Sequence, residues 1–265
     1  MNLDEPKPDR FDILLRVGGF VVVAYLVLVL ASSMLAPFGT EVRSAFAVLA
    51  AGLVANFLVA YKFERGRAED FGLGVSPGAA RHFVSGFAMG GAAVAILVGV
   101  AVSAGLAHFE VAQADSSAFW LAAVLVVGVF GEEMVFRGYA FQYLARSWGA
   151  PLTILCSAVL FGLAHLSNQN VQVLGAINTM LWGGLLGFAY TRAGTLWLSS
   201  GLHYGWNLAL VLLTSNLSGL TIRATAWDLR WSAGDLWSGG GYGLEGGLLT
   251  AIVALPVFLL LRRVR

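Results

Sequence analysis

Glu132 and Glu133 stand side by side, with Arg137 four residues on, in the stretch Gly131-Glu132-Glu133-Met134-Val135-Phe136-Arg137-Gly138. The stretch closes an apolar run that begins near Ala118. Charges at the centre of a membrane helix cost roughly 2.5 to 3.5 kcal/mol each on insertion scales, so a chain that keeps three must offset them with partners or a wet cavity. On a helix Glu133 and Arg137 share a face, with the acid on the N-terminal side, the better orientation for an ion pair. Glu132 points about 100° away around the helix. One carboxylate is then neutralised along its own helix, while the other turns to a different neighbourhood and is available for acid–base chemistry.

Groups that could work with Glu132 lie further along the chain. His165 ends Phe161-Gly162-Leu163-Ala164-His165, and His203 opens His203-Tyr204-Gly205-Trp206-Asn207, which sets His203 and Asn207 on one helix face. If the spans on either side of Gly149 form an antiparallel hairpin, Glu132 lies 17 residues before the turn and His165 16 after it, at matching depth. Each feature has a bland reading: Glu133 with Arg137 as a structural staple, each histidine as a hydrogen-bonded core residue. Their coincidence in neighbouring spans favours function. His82 and His108, at span ends, are expected to be solvated, Asn168 and Asn170 to be loop residues, and Cys156, among apolar neighbours, to be a small packing residue.

The elements that must position these groups are membrane helices. Of 265 residues 58% are hydrophobic and 12% charged, about half the charged share of a soluble domain. A net charge of +1 without a basic patch excludes nucleic-acid binding. The expected fold is an all-α, polytopic helix bundle of about eight spans. They run from about Val17 to Pro37, Ser44 to Tyr61, His82 to Ala107, Ser117 onward, Leu152 to Leu166, Val171 to Tyr190, Thr195 to Thr214 and Gly247 to Leu261. The first exceeds a signal-peptide core and is read as retained. The fourth could run on as an amphipathic helix to Ser147, about 45 Å in all. Residues 215–245 form the longest connection, whose Trp227, Trp231 and Trp237 suit a membrane interface.

Of the sixteen Lys and Arg, Lys7, Arg10, Arg16, Lys62, Arg65, Arg67, Arg81, Arg137, Arg146, Arg192, Arg262, Arg263 and Arg265 fall on one side of this topology, and Arg43, Arg223 and Arg230 on the other. The bias places both termini in the cytoplasm. Two lysines against fourteen arginines, in an Ala-, Gly- and Val-rich chain, suggest a GC-rich bacterial genome and hence a bacterial plasma membrane. A single integral-membrane domain is expected over 1–265, its core at about 117–214.

Glu132-Glu133-x-x-Phe136-Arg137-Gly138, Phe161-x-x-x-His165 and His203-x-x-x-Asn207, in this order, resemble the three motifs of the type II CAAX prenyl protease and bacteriocin-processing (CPBP, Abi-like) family of intramembrane glutamic endopeptidases. The turn-like Asp70-Phe71-Gly72-Leu73 is similar too. The resemblance implies a hydrolase of peptide or membrane-protein substrates in the lipid bilayer, with no cofactor and no metal. Glu132 and His165 would activate water, His203 and Asn207 would hold the oxyanion, and Glu133 with Arg137 would be a structural ion pair at the site. Two alternatives stand beside it. Glu132, His165 and His203 could supply three zinc ligands with a position open for water, although the chain has no His-Glu-x-x-His motif. The buried polar groups could instead belong to a non-catalytic immunity or partner-binding protein, or line a transport pathway.

Overall fold

A computed structural model describes residues 9–264. Lys7, Arg265 and most of the polar N-terminal segment lie outside the described residues. In chain order, α1 Arg10–Ile13 passes through a π-helical turn, Leu14–Gly18, into α2 Gly19–Met34. There follow α3 Thr40–Phe63, α4 Pro77–Ser103, β1 Ala107–Val111, α5 Ala118–Arg137, α6 Tyr139–Trp148, α7 Ala150–Ala164, α8 Val173–Ala193 and α9 Leu196–Thr214. Next come β2 Asn216–Leu217, β3 Leu220–Thr221, β4 Trp227–Trp231, α10 Asp235–Ser238 and α11 Leu248–Leu261.

The fold is that of an all-α membrane bundle carrying small β elements. Five helices are long and apolar enough to cross a bilayer: Arg10–Met34, Thr40–Phe63, Pro77–Ser103, Ala118–Trp148 and Val173–Ala193. The other three expected spans are helical as well. Two of them, α7 and α11, are apolar but shorter, and α9 is diluted by Ser199, Ser200, His203 and Asn207. The candidate site residues His203 and Asn207 are among those that lower the hydropathy of their own helix.

Two expectations are corrected. The fourth helix does not run unbroken to Ser147: it stops at Arg137 and restarts at Tyr139, with Gly138 at φ −71°, ψ −141°. The connections that follow α4 and α9 are not plain loops, because β1 pairs antiparallel with β4, Ala107 opposite Trp231 and Val111 opposite Trp227. Arg230 reaches Glu110 at 3.3 Å across this ribbon, and Asp228 on its own strand at 3.3 Å.

The described residues divide into two compact units, one up to Val75 together with Val127–Ser157, the other Ser76–Val126 with the residues from Ala158 onward. In the first, Phe20 and Ala24 of α2, Ala55, Val59 and Ala60 of α3, Phe71, and Tyr139, Ala140 and Tyr143 of α6 form one buried cluster. A polar clasp closes its rim. Arg16 pairs with Asp12 at 3.0 Å and Glu64 at 2.9 Å and donates to the Tyr139 hydroxyl at 3.1 Å, while the Tyr143 hydroxyl donates to Asp12. Arg16 also stacks over the Phe63 and Tyr143 rings, so its stem and charge are both used.

The second unit is built on the contact between α4 and α9. Gly86 and Gly90 on α4 and Gly201 and Gly205 on α9 are each spaced by four, the small-residue pattern that lets membrane helices touch backbone to backbone. A Cβ on Gly90 would lie 2.2 Å from the Leu202 carbonyl oxygen, and one on Gly205 2.1 Å from that of Phe87. No side chain fits there. The same principle brings α7 to α8: Gly183 leaves room for Phe161, whose Cβ and Cδ1 would be 3.1 Å from any side chain at that position.

Candidate active site

The residues marked by the sequence fall in both units, and each group is built from its own surroundings. In the first, Glu133 and Arg137 are wholly buried and paired at 3.0 Å, Arg137 Nη1 donating to Glu133 Oε1. The guanidinium lies 5.7 Å from the centre of the Phe136 ring. Glu132, the next residue round the helix, is only partly buried. Adjacent carboxylates thus meet unlike surroundings, one sealed into an ion pair and one retaining an accessible surface.

Two glycines and an asparagine hold this end of α5. A Cβ on Gly131 would lie 2.5 Å from the Leu49 amide nitrogen, so the residue before Glu132 must be glycine for α3 to come this near. Where the helix breaks at Gly138, the ladder loses its regular bonds, and an orphaned buried peptide group costs about 1 to 3 kcal/mol. Asn56, fully buried in α3, supplies the missing partners: its Nδ2 donates to the Met134 carbonyl at 2.9 Å and to Gly52 at 2.6 Å, and its Oδ1 accepts the Tyr139 amide at 2.7 Å. A side chain on Gly138 would collide with Asn56 Oδ1 at 2.2 Å. Ser157 of α7 donates to the Phe136 carbonyl at 3.1 Å. Asn56 is the residue that sequence reasoning passed over here; the signal was a lone amide in an apolar span.

In the second unit His165 and His203 flank one ring. The Phe161 ring centre is 4.5 Å from that of His165 and 5.9 Å from that of His203, the latter edge to face. His165 Nδ1 lies 2.7 Å from the Phe161 carbonyl. A carbonyl only accepts, so Nδ1 carries the proton and the lone pair of the neutral ring is on Nε2. Phe161, the first residue of its motif, therefore sets both the tautomer of His165 and the seat of His203. His203 is buried, and Asn207 follows one turn on, partly exposed. Tyr204, between them, donates to the Ala122 carbonyl at 3.2 Å and packs on Phe87. Of the remaining histidines, His108 is exposed and bonded to Glu110, while His82 is partly buried.

Two further residues of this unit escaped sequence reasoning. Asn178 of α8, buried, donates to the main-chain carbonyls of Glu245 at 2.7 Å and Gly247 at 2.9 Å. Glu245 itself accepts from Ser218 and Trp206. Burial pushes its carboxyl above the ordinary glutamate value, against the opposing pull of those donors and of nearby His165. Within neither unit do three His, Cys, Asp or Glu of the described residues gather as metal ligands.

The first unit offers a partly buried carboxylate beside a sealed ion pair, and the second an imidazole with a defined acceptor nitrogen beside a second imidazole and an amide. Those are the groups that general-base chemistry and oxyanion binding call for. No curated protein matches the chain. Residues 114–209 match the family model described as type II CAAX prenyl endopeptidase Rce1-like, and Glu132, Glu133, Arg137, His165, His203 and Asn207 all lie inside the match. The segment from 114 to 209 is thus similar to the Rce1-like family.

Proposed function

We propose that the protein is an intramembrane endopeptidase of the glutamic type, hydrolysing a peptide bond in a peptide or membrane-protein substrate. The observation that carries the reading is that one Rce1-like match contains all three motifs in order. Glu132 and His165 activate a water: the carboxylate takes its proton, and Nε2 of His165 is the nitrogen able to accept or relay one. The water oxygen bonds to the scissile carbonyl carbon, and the carbonyl oxygen takes up the negative charge. His203 and Asn207 donate to that oxygen; removing one such donor typically costs about 10² to 10³ in rate. The proton taken from water is then passed to the leaving nitrogen as the C–N bond breaks. Glu133 with Arg137 holds the helix that carries Glu132. The whole chain acts as a single membrane domain of about eight spans, core at about 117–214, with cytoplasmic termini in a bacterial plasma membrane.

The test is comparative membrane proteomics of cells carrying wild type or Glu132→Gln. We expect a peptide that is cleaved by the wild type and persists with the variant at equal protein abundance. Equal processing by both would overturn the reading in favour of a binding or transport protein. Elemental analysis separates the zinc alternative: one zinc per chain, with activity lost on chelation and restored by zinc, would recast Glu132, His165 and His203 as ligands. A reporter fused after Arg265 that proved external would break the eight-span topology.

A further inference from the structure

Glu245 lies in the connection before α11, outside the Rce1-like match, and no step of the mechanism uses it. Three donors nevertheless converge on its carboxylate. Oε2 accepts from the Ser218 amide at 2.6 Å and the Ser218 hydroxyl at 2.8 Å, and Oε1 accepts from the Trp206 indole at 3.4 Å. Its own main chain is pinned by Asn178, so the carboxylate is delivered from a fixed point.

Each donor is informative. Ser218 and Gly219 make the two-residue turn between β2 and β3, at φ 47° and 90°. Such a turn needs positive φ at both positions, which glycine adopts readily and serine does not. The serine here places both its hydroxyl and its amide on Glu245. Trp206 is buried on α9 between His203 and Asn207 in sequence, its ring 3.8 Å from that of Trp182. The Trp182 indole in turn donates to the Thr250 carbonyl at 3.3 Å, and the Thr250 hydroxyl to that of Leu244 at 2.7 Å, which returns the network to the residue before Glu245. Glu245 is partly exposed, and His165 is near enough to act on its carboxyl.

We propose that Glu245 is a positioning residue of the candidate site, locking Trp206, and with it the His203–Asn207 face of α9, to the Ser218 turn. A carboxyl acceptor suits that task better than an apolar contact, because its bonds fix direction as well as distance. The catalytic consequence rests on the endopeptidase reading; the contacts themselves do not.

The experiment uses the full chain in lipid nanodiscs and the variants Glu245→Gln and Glu245→Asp. The probe is an internally quenched peptide ending in a farnesylated Cys-aliphatic-aliphatic-X sequence. The indole N–H resonance of Trp206, assigned by its loss in Trp206→Phe, and the His165 ring resonance, assigned by its loss in His165→Gln, are followed without substrate. In Glu245→Gln we expect a Tm little changed at the neutral pH of the assay, displaced Trp206 and His165 resonances with His82 and His108 unmoved, and kcat lower by about tenfold or more with KM within about twofold, the pattern of a lost transition-state interaction. Glu245→Asp should recover part of kcat. Unmoved resonances, or a loss of kcat that merely follows a loss of Tm, would overturn the proposal. If the wild type leaves the peptide intact, the endopeptidase reading fails on this probe. The two resonances then decide the positioning role alone: displacement supports it and constancy refutes it.

Discussion

The end of α5 and the middle of α9 both present polar side chains in apolar surroundings, and they are held by opposite means. At the end of α5 the holding groups are polar: a buried ion pair, an asparagine that takes over the bonds of a broken helix, a serine on a carbonyl. Along α9 the holding groups are absences, glycines that let the Phe83 and Phe87 carbonyls come within 2.1 Å of where a Cβ would be. Hydrogen bonds and ion pairs fix direction, which suits a helix end that must turn one carboxylate inward and its neighbour outward. Backbone contact fixes distance, which suits histidines that must share one aromatic ring. The first arrangement fails by stranding a polar group and the second by steric expulsion, and the two failures differ in size.

The largest effect is expected where a charge is stranded. Glu133→Gln leaves Arg137 buried without its anion, and breaking a fully buried pair costs roughly 3 to 5 kcal/mol. Thermal unfolding in detergent should show it as a large drop in Tm, and the double change Glu133→Gln with Arg137→Met should recover much of it. Glu132→Gln, on the partly exposed neighbour, should leave Tm nearly unchanged. Equal losses of stability in the two single variants would break the contrast between the two carboxylates.

Steric expulsion comes next. Gly205→Ala must push α9 from α4, because the clashing atoms are backbone and cannot rotate away; overpacking costs about 1 to 3 kcal/mol, and this site belongs at the upper end. Gly91→Ala is the control, since its Cβ would meet nothing nearer than 3.8 Å. A Gly205→Ala protein as stable as Gly91→Ala would refute backbone contact as the means of placing His203.

Third is the helix break. Asn56→Leu removes the partners of the Met134 carbonyl and the Tyr139 amide at once, and with the helix break free to relax the total cost belongs at the lower end of about 1 to 3 kcal/mol. Hydrogen exchange should quicken at the Tyr139 amide ahead of the rest of α6. Uniform exchange along α6 would show that Asn56 does not cap it.

These contrasts also mark what could be read from the chain alone. The spacing of Glu133 and Arg137 expresses a face directly, because one helical turn separates them and both are charged. The break at Gly138 was hidden: Phe141, Tyr143 and Leu144 continue the helical pattern across it, and only the tertiary contact with Asn56 makes the interruption stable. The four-residue spacing of Gly86 with Gly90 and of Gly201 with Gly205 is visible in the sequence, but which helices they join is not. The ribbon of β1 and β4 was legible in principle, since Ala107, Phe109 and Val111 alternate with His108 and Glu110, and Trp227, Leu229 and Trp231 with Asp228 and Arg230. Glu245 had no such signal. It is one acid in a Gly- and Trp-rich connection, and its meaning comes from Ser218, Trp206 and Asn178, which lie 27, 39 and 67 residues away.

The smallest expected effect sharpens that last point through pH. Glu245 resembles the polar anchors at the end of α5, yet its contribution to stability should have the sign of a group that burial disfavours. Its carboxyl titrates above the ordinary 4.5, with desolvation outweighing the donors from Ser218 and Trp206 and the influence of His165. The folded protein therefore holds this proton at pH values where the unfolded chain has released it. Stability from such a group is fully present below the unfolded value and is lost as pH rises from about 4.5 through the folded value. Glutamine at 245 does not titrate, so the Tm of the wild type minus that of Glu245→Gln should fall as pH is raised across this window and level off above it. A difference that rises with pH would mean that the three donors, rather than burial, dominate the carboxylate, and would place Glu245 with the ion-paired charge of Glu133.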